Sequence, residues 1–149
     1  MNEKYMKLAL KEAKKAYDKF ETPIGAVIVL NDKVIAKAHN LRETKQNTLA
    51  HAESLVISKA CKKLGSWRLE DCDLYVTLEP CVMCSGAIIQ SRIKNVYYGA
   101  KNKRFGCHDS KINLFDVEFN HKVNIVGGIL EEECSKLITN FFKELRDKK

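Results

Sequence analysis

His51-Ala52-Glu53 and Pro80-Cys81-Val82-Met83-Cys84 are the two stretches that decide how this chain folds and what it binds. Together they supply one imidazole, two thiols and one further carboxylate. Imidazole nitrogen and thiolate sulfur suit Zn²⁺, and three such ligands leave the fourth tetrahedral position open. Because a structural zinc fills all four positions, His51, Cys81 and Cys84 predict a catalytic zinc site with one Zn²⁺ per subunit.

Glu53 is the predicted catalytic residue, since it stands two residues from the histidine. A carboxylate beside an activated water can take a proton and return it to the leaving group. The pattern therefore indicates hydrolysis, with attack of hydroxide on an amidine carbon and release of ammonia. The alternative is a structural zinc that also uses Cys107, His108 or His121, but none of these repeats C-x-x-C or H-x₃-H spacing.

Length and composition fit a single domain, residues 1–149, with 45% hydrophobic and 30% charged residues. The longest apolar run, Ile24 to Leu30, is too short to span a bilayer, and the N-terminus lacks a signal-peptide pattern. We therefore expect a cytoplasmic protein without membrane attachment, in which cysteines stay reduced. Four cysteines outside the C-x-x-C are expected to be free thiols: Cys61, Cys72, Cys107 and Cys134.

The chain is basic, with a net charge of +7 from 26 Lys and Arg against 19 Asp and Glu. A basic surface fits a polyanionic partner such as nucleic acid, although charge alone fits solubility equally well. Lys101, Lys103 and Arg104 precede Phe105, and cations beside an aromatic ring suit a sugar-phosphate backbone with a stacked base. The alternative is a solvated loop with the phenylalanine tucked inside.

Hydrophobic periodicity predicts alternating helices and strands after an initial helix and hairpin. Helices are expected at 3–20, from His51 to Leu64, from Pro80 to Ile89, and at 130–146, where the last ends in Lys143, Arg146, Lys148 and Lys149. Strands are expected at 24–30, 34–39, 74–77, 96–100 and 123–127. This order predicts a three-layer α/β/α sandwich with a five-stranded mixed sheet.

Two positions between these elements are open to more than one interpretation. Trp67 is expected in the core or at an oligomer contact. Asn40 ends the second strand, where a side-chain amide can read a base edge by donor and acceptor. The alternative for Asn40 is a turn residue that bonds its own backbone.

The H-x-E…P-C-x-x-C arrangement is the signature of zinc-dependent nucleobase deaminases. Within that group, the chain resembles the bacterial tRNA-specific adenosine deaminases almost from end to end. The more specific matches are Val82-Met83 between the cysteines, Asn120-His121-Lys122 before the last strand, and the Phe141-Phe142 pair. The chain departs from the family at Asn47-Thr48-Leu49-Ala50, where relatives carry Asp-Pro-Thr-Ala, and at Asn102, where some carry Asp.

The resemblance implies a cytidine-deaminase-like fold, a homodimer, and conversion of adenosine to inosine at the wobble position of a tRNA anticodon. It also implies a set of residues that contact the substrate. Asn40 would bind the adenine ring and Ala52 would offer its backbone to the base. The residues expected near the anticodon stem-loop are Asn102, Lys103, Arg104, Asn120 and Phe142.

Three other functions compete with this interpretation. A free nucleobase deaminase acting on guanine or cytosine would share the fold, the zinc and Glu53, but would have no need of basic charge. A non-catalytic zinc module that binds nucleic acid would not need Glu53 beside His51. A purely structural partner protein would have no use for the complete set of metal ligands.

Overall fold

One five-stranded sheet organises the computed structural model, which describes residues 1–148; Lys149, the last of the predicted basic C-terminal residues, lies outside them. The strands are β1 (Gly25–Leu30), β2 (Lys33–His39), β3 (Asp73–Leu78), β4 (Asn95–Ala100) and β5 (Asn124–Val126). They are arranged in the order β2-β1-β3-β4-β5. β1 is antiparallel to β2 and β3, whereas β3, β4 and β5 are parallel, so the predicted mixed sheet is confirmed.

Helices cover both faces of this sheet. They are α1 (Glu3–Asp18), α2 (Arg42–Lys45), α3 (Ala52–Leu64), α4 (Val82–Gln90) and α5 (Glu131–Asp147). Alternate side chains of β1 point to opposite layers, as the period of two in a strand requires. Ile28 packs in one core with residues of α3 and α4, and Val27 packs in the other with residues of α1 and α5. The predicted three-layer α/β/α sandwich is confirmed.

The strand directions bring several chain segments to one edge of the sheet. β1 is antiparallel to both of its neighbours, so β2 runs in the same direction as β3 and β4. The carboxyl ends of all three strands therefore meet at the same edge, where ligands bind in open α/β sheets. β2 leads into Asn40, β3 into Glu79-Pro80-Cys81, and β4 into the loop that begins at Lys101.

Several local predictions differ from the structure. α4 begins at Val82 with Cys81 as its N-cap, two residues later than the predicted start at Pro80. The reason is that the backbone of Cys81 is extended, with φ −76° and ψ 177°, so the first helical residue is Val82. The short helix α2 forms within the stretch that was predicted to be a loop, and strand ends shift by one residue.

Two exposed aromatic side chains correct further expectations. Trp67 is 57% exposed and the Arg68 guanidinium lies 4.7 Å from its ring centre, so the prediction of a core position is wrong. The Arg92 guanidinium also lies over the ring, at 5.7 Å from its centre, so cation–π contacts hold the exposed indole. Phe105 is 63% exposed, which excludes the tucked-in alternative. Across residues 1–148, we find no helix with the length and apolar character to cross a bilayer.

Candidate metal centre and active site

The three predicted metal ligands converge at the starts of two helices. His51 is the N-cap of α3, Cys81 is the N-cap of α4, and Cys84 lies in the first turn of α4. His51 Nδ1 lies 3.7 Å from Cys81 Sγ and 3.6 Å from Cys84 Sγ. A tetrahedral zinc with ordinary Zn–N and Zn–S lengths holds nitrogen and sulfur about 3.6 Å apart. Both nitrogen–sulfur distances therefore match zinc coordination, and the three ligand atoms all lie within 4.8 Å of one another.

The two thiols of this cluster ionise very differently. A hydrogen bond from Cys84, helped by one from His51, lowers the pKa of Cys81 to about 4 despite its burial. The bond with Cys81 raises the pKa of Cys84, and the bond with Cys81 also raises the pKa of His51. The cluster thus favours a thiolate at Cys81, and helix N-termini stabilise such an anion. A metal ion held by these residues would replace the proton between the two sulfurs.

Glu53 lies in the first turn of α3 and is only 4% exposed. Its Oε1 is buried and has no hydrogen-bond partner among residues 1–148. Burial, reinforced by the charge of Cys81, raises the pKa of Glu53 to about 7. Buried polar atoms are normally bonded, so the free oxygen beside the ligand cluster indicates a partner from outside the chain, such as water or a substrate.

Asn40 and Ala52 lie near the start of α3: Ala52 directly follows His51, and Leu41, the residue after Asn40, donates its N–H to the Ala50 carbonyl at 3.0 Å. The Asn40 side chain is buried, its Nδ2 donates to the Thr22 carbonyl at 3.4 Å, and its Oδ1 accepts the Arg42 N–H at 3.3 Å. The bond to Arg42 confirms the turn interpretation, because it closes an Asx turn. Ala52 is fully buried at the first position of α3. Contact of either residue with a base stays a prediction.

The loop after β4 lies against the cysteine half of the cluster. Cys107 N donates to the Pro80 carbonyl, which directly precedes Cys81. Asn102 Oδ1 accepts the Phe105 N–H at 3.1 Å, and Asn102 O accepts the Gly106 N–H at 2.8 Å. Lys103 and Arg104 are exposed between these bonds. The loop that carries these three predicted substrate residues is therefore fixed to the segment that precedes Cys81, and their contact with a substrate stays a prediction.

The remaining two predicted substrate residues lie in different places. The Phe142 ring contacts the Phe141 ring, and Phe141 in turn packs on Phe20, with 5.7 Å between the ring centres. Phe20 lies two residues before Thr22, whose carbonyl accepts a hydrogen bond from the Asn40 side chain. Phe142 itself is 41% exposed on α5, and its contact with a substrate stays a prediction. Asn120 is exposed and borders a cavity with Gln90, about 13 Å along α4 from Cys81. Within one chain, Asn120 is not part of the metal cluster.

Two buried carboxylates near the site were not predicted from the sequence. Glu21 is fully buried and its oxygens accept the backbone N–H groups of Glu43 and Thr44, which start α2. The Glu79 carboxylate likewise accepts backbone N–H groups, which come from the loop after β4. The only sequence signal for Glu79 is its position two residues before a metal ligand, at the end of a buried strand.

A family model described as MafB19-like deaminase matches residues 1–146. The chain belongs to this deaminase family. The tRNA-specific adenosine deaminase of Bacillus subtilis (strain 168) is 57% identical over 149 residues, covering 99% of this chain and 92% of the relative. The expected resemblance to bacterial tRNA-specific adenosine deaminases is therefore confirmed.

Solved deaminase structures share the fold. One, reported in a study of A-to-I editing by tRNA deaminases at the wobble position of transfer RNA, is 42% identical with a TM-score of 0.88. It matches 91% of this deaminase and 99% of that chain. A guanine deaminase from Bacillus subtilis is 35% identical with a TM-score of 0.67, over 80% of this chain and 88% of that one. The expected cytidine-deaminase-like fold is confirmed.

Proposed function

We propose that this deaminase converts adenosine to inosine at the wobble position of a tRNA anticodon, with one Zn²⁺ per subunit. The observation that carries the proposal is 57% identity, over nearly the whole chain, to a protein named tRNA-specific adenosine deaminase. The complete cluster of His51, Cys81 and Cys84 with Glu53 beside it supports a catalytic site. A non-catalytic zinc module has no use for a buried carboxyl with a free oxygen.

The chemistry follows from the positions of Glu53 and the three ligands. When bound by His51, Cys81 and Cys84, Zn²⁺ supplies Lewis-acid activation of water near neutral pH. Glu53 Oε1 takes a proton from the attacking water and delivers it to the adenine ring nitrogen. Glu53 then carries the second proton to the departing amine, so that water and adenosine become inosine and ammonia.

The carboxyl edge of the sheet provides a surface for single-stranded RNA around the metal cluster. A base must leave its stack to reach the metal, and anticodon loops offer unpaired bases that can be splayed out. Asn40 follows β2, and Asn102, Lys103 and Arg104 follow β4, so both segments leave the sheet at its carboxyl edge. Together with Phe142 on α5, these residues are proposed to contact the anticodon loop. Phe105, exposed next to the two cations, is placed to stack on a neighbouring base.

Lys103→Ala and Arg104→Ala are each expected to weaken binding of an anticodon stem-loop and to reduce its salt dependence. Each phosphate contact on a single strand contributes a slope of about −0.7 to log K against log salt, so each variant should lose up to about that amount. Titration of a labelled stem-loop at several salt concentrations measures the slope. Lys63→Ala, an exposed lysine near the far end of α3, is the matched control.

The slope of the Lys63→Ala control is expected to equal that of the wild-type enzyme. If Lys103→Ala and Arg104→Ala also keep the wild-type slope, this loop does not contact the RNA backbone.

We infer that the enzyme is a homodimer that pairs through the outer side of α4. Val82 is exposed in the first turn of α4, and Phe119 is exposed beside the groove at its other end, lined by Ile89 and Leu114. Large apolar side chains exposed at both ends of one helix are the kind of surface that protein–protein contacts cover. Phe119→Asp should shift sedimentation from twice the chain mass to the chain mass. A wild-type enzyme that sediments as a monomer contradicts the inference.

Pairing through this side would also bring Asn120 next to the partner subunit, where we propose that it contacts the RNA bound by that subunit. A tRNA substrate and a chain with no membrane-spanning helix among residues 1–148 are consistent with a cytoplasmic enzyme, as expected from the sequence.

The alternative is deamination of free guanine, since a guanine deaminase shares the fold at 35% identity. The two functions are separated by measuring ammonia release from an anticodon stem-loop with adenosine at the wobble position, and from free guanine, cytosine and cytidine. Turnover of the stem-loop alone supports the proposal. Turnover of a free base alone would keep the metal chemistry and remove the RNA substrate.

A further inference from the structure

Glu79 is a buried carboxylate that no step of the deamination uses. It lies between the end of β3 and the metal ligand Cys81, and it is 1% exposed. Its own N–H donates to the Ala100 carbonyl at 2.8 Å, so it stands opposite the end of β4. A buried charge is costly unless it is paired or hydrogen-bonded, and the partners of this charge show what it does.

All the hydrogen bonds to the Glu79 carboxylate come from the loop after β4. Oε2 accepts the backbone N–H groups of three consecutive residues, His108 at 2.9 Å, Asp109 at 2.8 Å and Ser110 at 3.2 Å. Oε1 accepts the N–H of Asn102 at 3.1 Å and the hydroxyl of Ser110. These five hydrogen bonds satisfy both oxygens of the buried carboxylate.

Gly106 shows how closely the loop wraps this carboxylate. A Cβ at position 106 would lie 2.4 Å from Glu79 Cδ and 2.5 Å from the Asn102 carbonyl oxygen. Only glycine therefore lets the backbone pass over the carboxylate. The next residue, Cys107, donates its N–H to the Pro80 carbonyl, which fixes the loop to the segment that carries Cys81.

We propose that Glu79 is a positioning residue for RNA: its carboxylate holds the loop 101–110 so that Asn102, Lys103, Arg104 and Phe105 face the substrate before it binds. This rests on the proposed tRNA function. The inner side of the loop is occupied by the anion, and its outer side presents the cations and the exposed ring. A loop fixed in advance does not lose conformational freedom when RNA binds, which favours affinity.

The test compares Glu79→Gln with the wild-type enzyme on a wobble-adenosine stem-loop. The amide keeps the shape but removes the charge and places an NH₂ group among N–H donors, so KM should rise by about tenfold or more. The kcat should change by less than about threefold, because an interaction that serves binding alone raises KM only. Zinc should stay at one per chain, and hydrogen exchange at amides 102 and 108–110 of the free enzyme should become faster.

Glu12→Gln is the matched control. Glu12 is also a buried carboxylate, bonded by Lys15 Nζ at 2.6 Å and His39 Nδ1 at 3.1 Å, but it lies on α1 in the other layer. Its loss should leave the KM for the stem-loop unchanged even where stability falls. If the two variants have the same KM, the role of Glu79 is only structural.

Ser110→Ala is the second test variant, for use if Glu79→Gln does not fold. It removes the hydroxyl that donates to Glu79 Oε1, at a half-buried position. It should raise KM in the same direction by about two- to fivefold, as expected for loss of one hydrogen bond to a charged group. Unchanged KM with an active wild-type enzyme, unchanged hydrogen exchange, or loss of zinc in Glu79→Gln would each overturn the proposal. A wild-type enzyme inactive on the stem-loop would instead refute the proposed function.

Discussion

Glu53→Gln is expected to abolish turnover while leaving the metal in place. General acid–base catalysis by one positioned group is worth about 10²- to 10⁴-fold, and Glu53 is assigned two successive proton transfers, so the loss should reach the upper end of that range. The amide has the shape of the carboxyl and is not itself a ligand in the cluster of His51, Cys81 and Cys84. Single-turnover deamination of the stem-loop and zinc content per chain are the two measurements.

Stability of the metal-free protein provides an independent check on the same variant. The Glu53 carboxyl is buried and its Oε1 has no partner within residues 1–148. An unpaired buried group costs free energy, and catalytic sites commonly trade stability for function in this way. Glu53→Gln should therefore unfold at the same temperature as the wild type or higher. Near-normal turnover would contradict the proton-transfer role, and loss of zinc would assign Glu53 to metal binding instead.

Cys84→Ala is expected to remove both metal and activity. Cys84 is one of three ligands and is fully buried, so its loss leaves two ligands and a cavity. Mutation of residues that only hydrogen-bond to metal ligands typically lowers metal affinity by about 10- to 100-fold, so removal of a ligand should lower it by more than about 100-fold. Zinc per chain after dialysis, and recovery of turnover when zinc is returned to chelated enzyme, measure the effect.

Cys72→Ala is the matched control, because Cys72 is an equally buried cysteine outside the cluster. It should retain one zinc per chain and wild-type turnover, with only the modest loss of stability that follows a truncated core side chain. A Cys84→Ala enzyme that still holds one zinc per chain would show that the proposed ligand set is wrong.

The metal cluster could be predicted because its ligands and Glu53 occur in two short motifs with fixed spacing. His51 with Glu53, and Cys81 with Cys84, each lie within a single helix start, so the pattern fixes their relative positions. The mixed sheet was predictable from alternating periods of two and 3.6 residues. The direction of the strands brings the His51–Glu53 pair and the Cys81–Cys84 pair together, and the order of helices and strands along the chain already constrains that direction.

The buried carboxylates could not be predicted in the same way. The bonds from Glu79 reach residues 23 to 31 positions away, and those from Glu21 reach residues 22 and 23 away. No local period encodes such contacts, and a lone Glu is normally assigned to the surface. The prediction for Trp67 was wrong for the opposite reason. Its apolar ring predicts burial, but the ring is exposed and the neighbouring Arg68 guanidinium stacks on it.

The most direct test of the central claim is to locate inosine in an anticodon stem-loop that carries adenosine at the wobble position and at other loop positions. The proposed function predicts inosine at the wobble position alone, and none with the Glu53→Gln enzyme. Deamination of free guanine or cytosine with the stem-loop unchanged would contradict it.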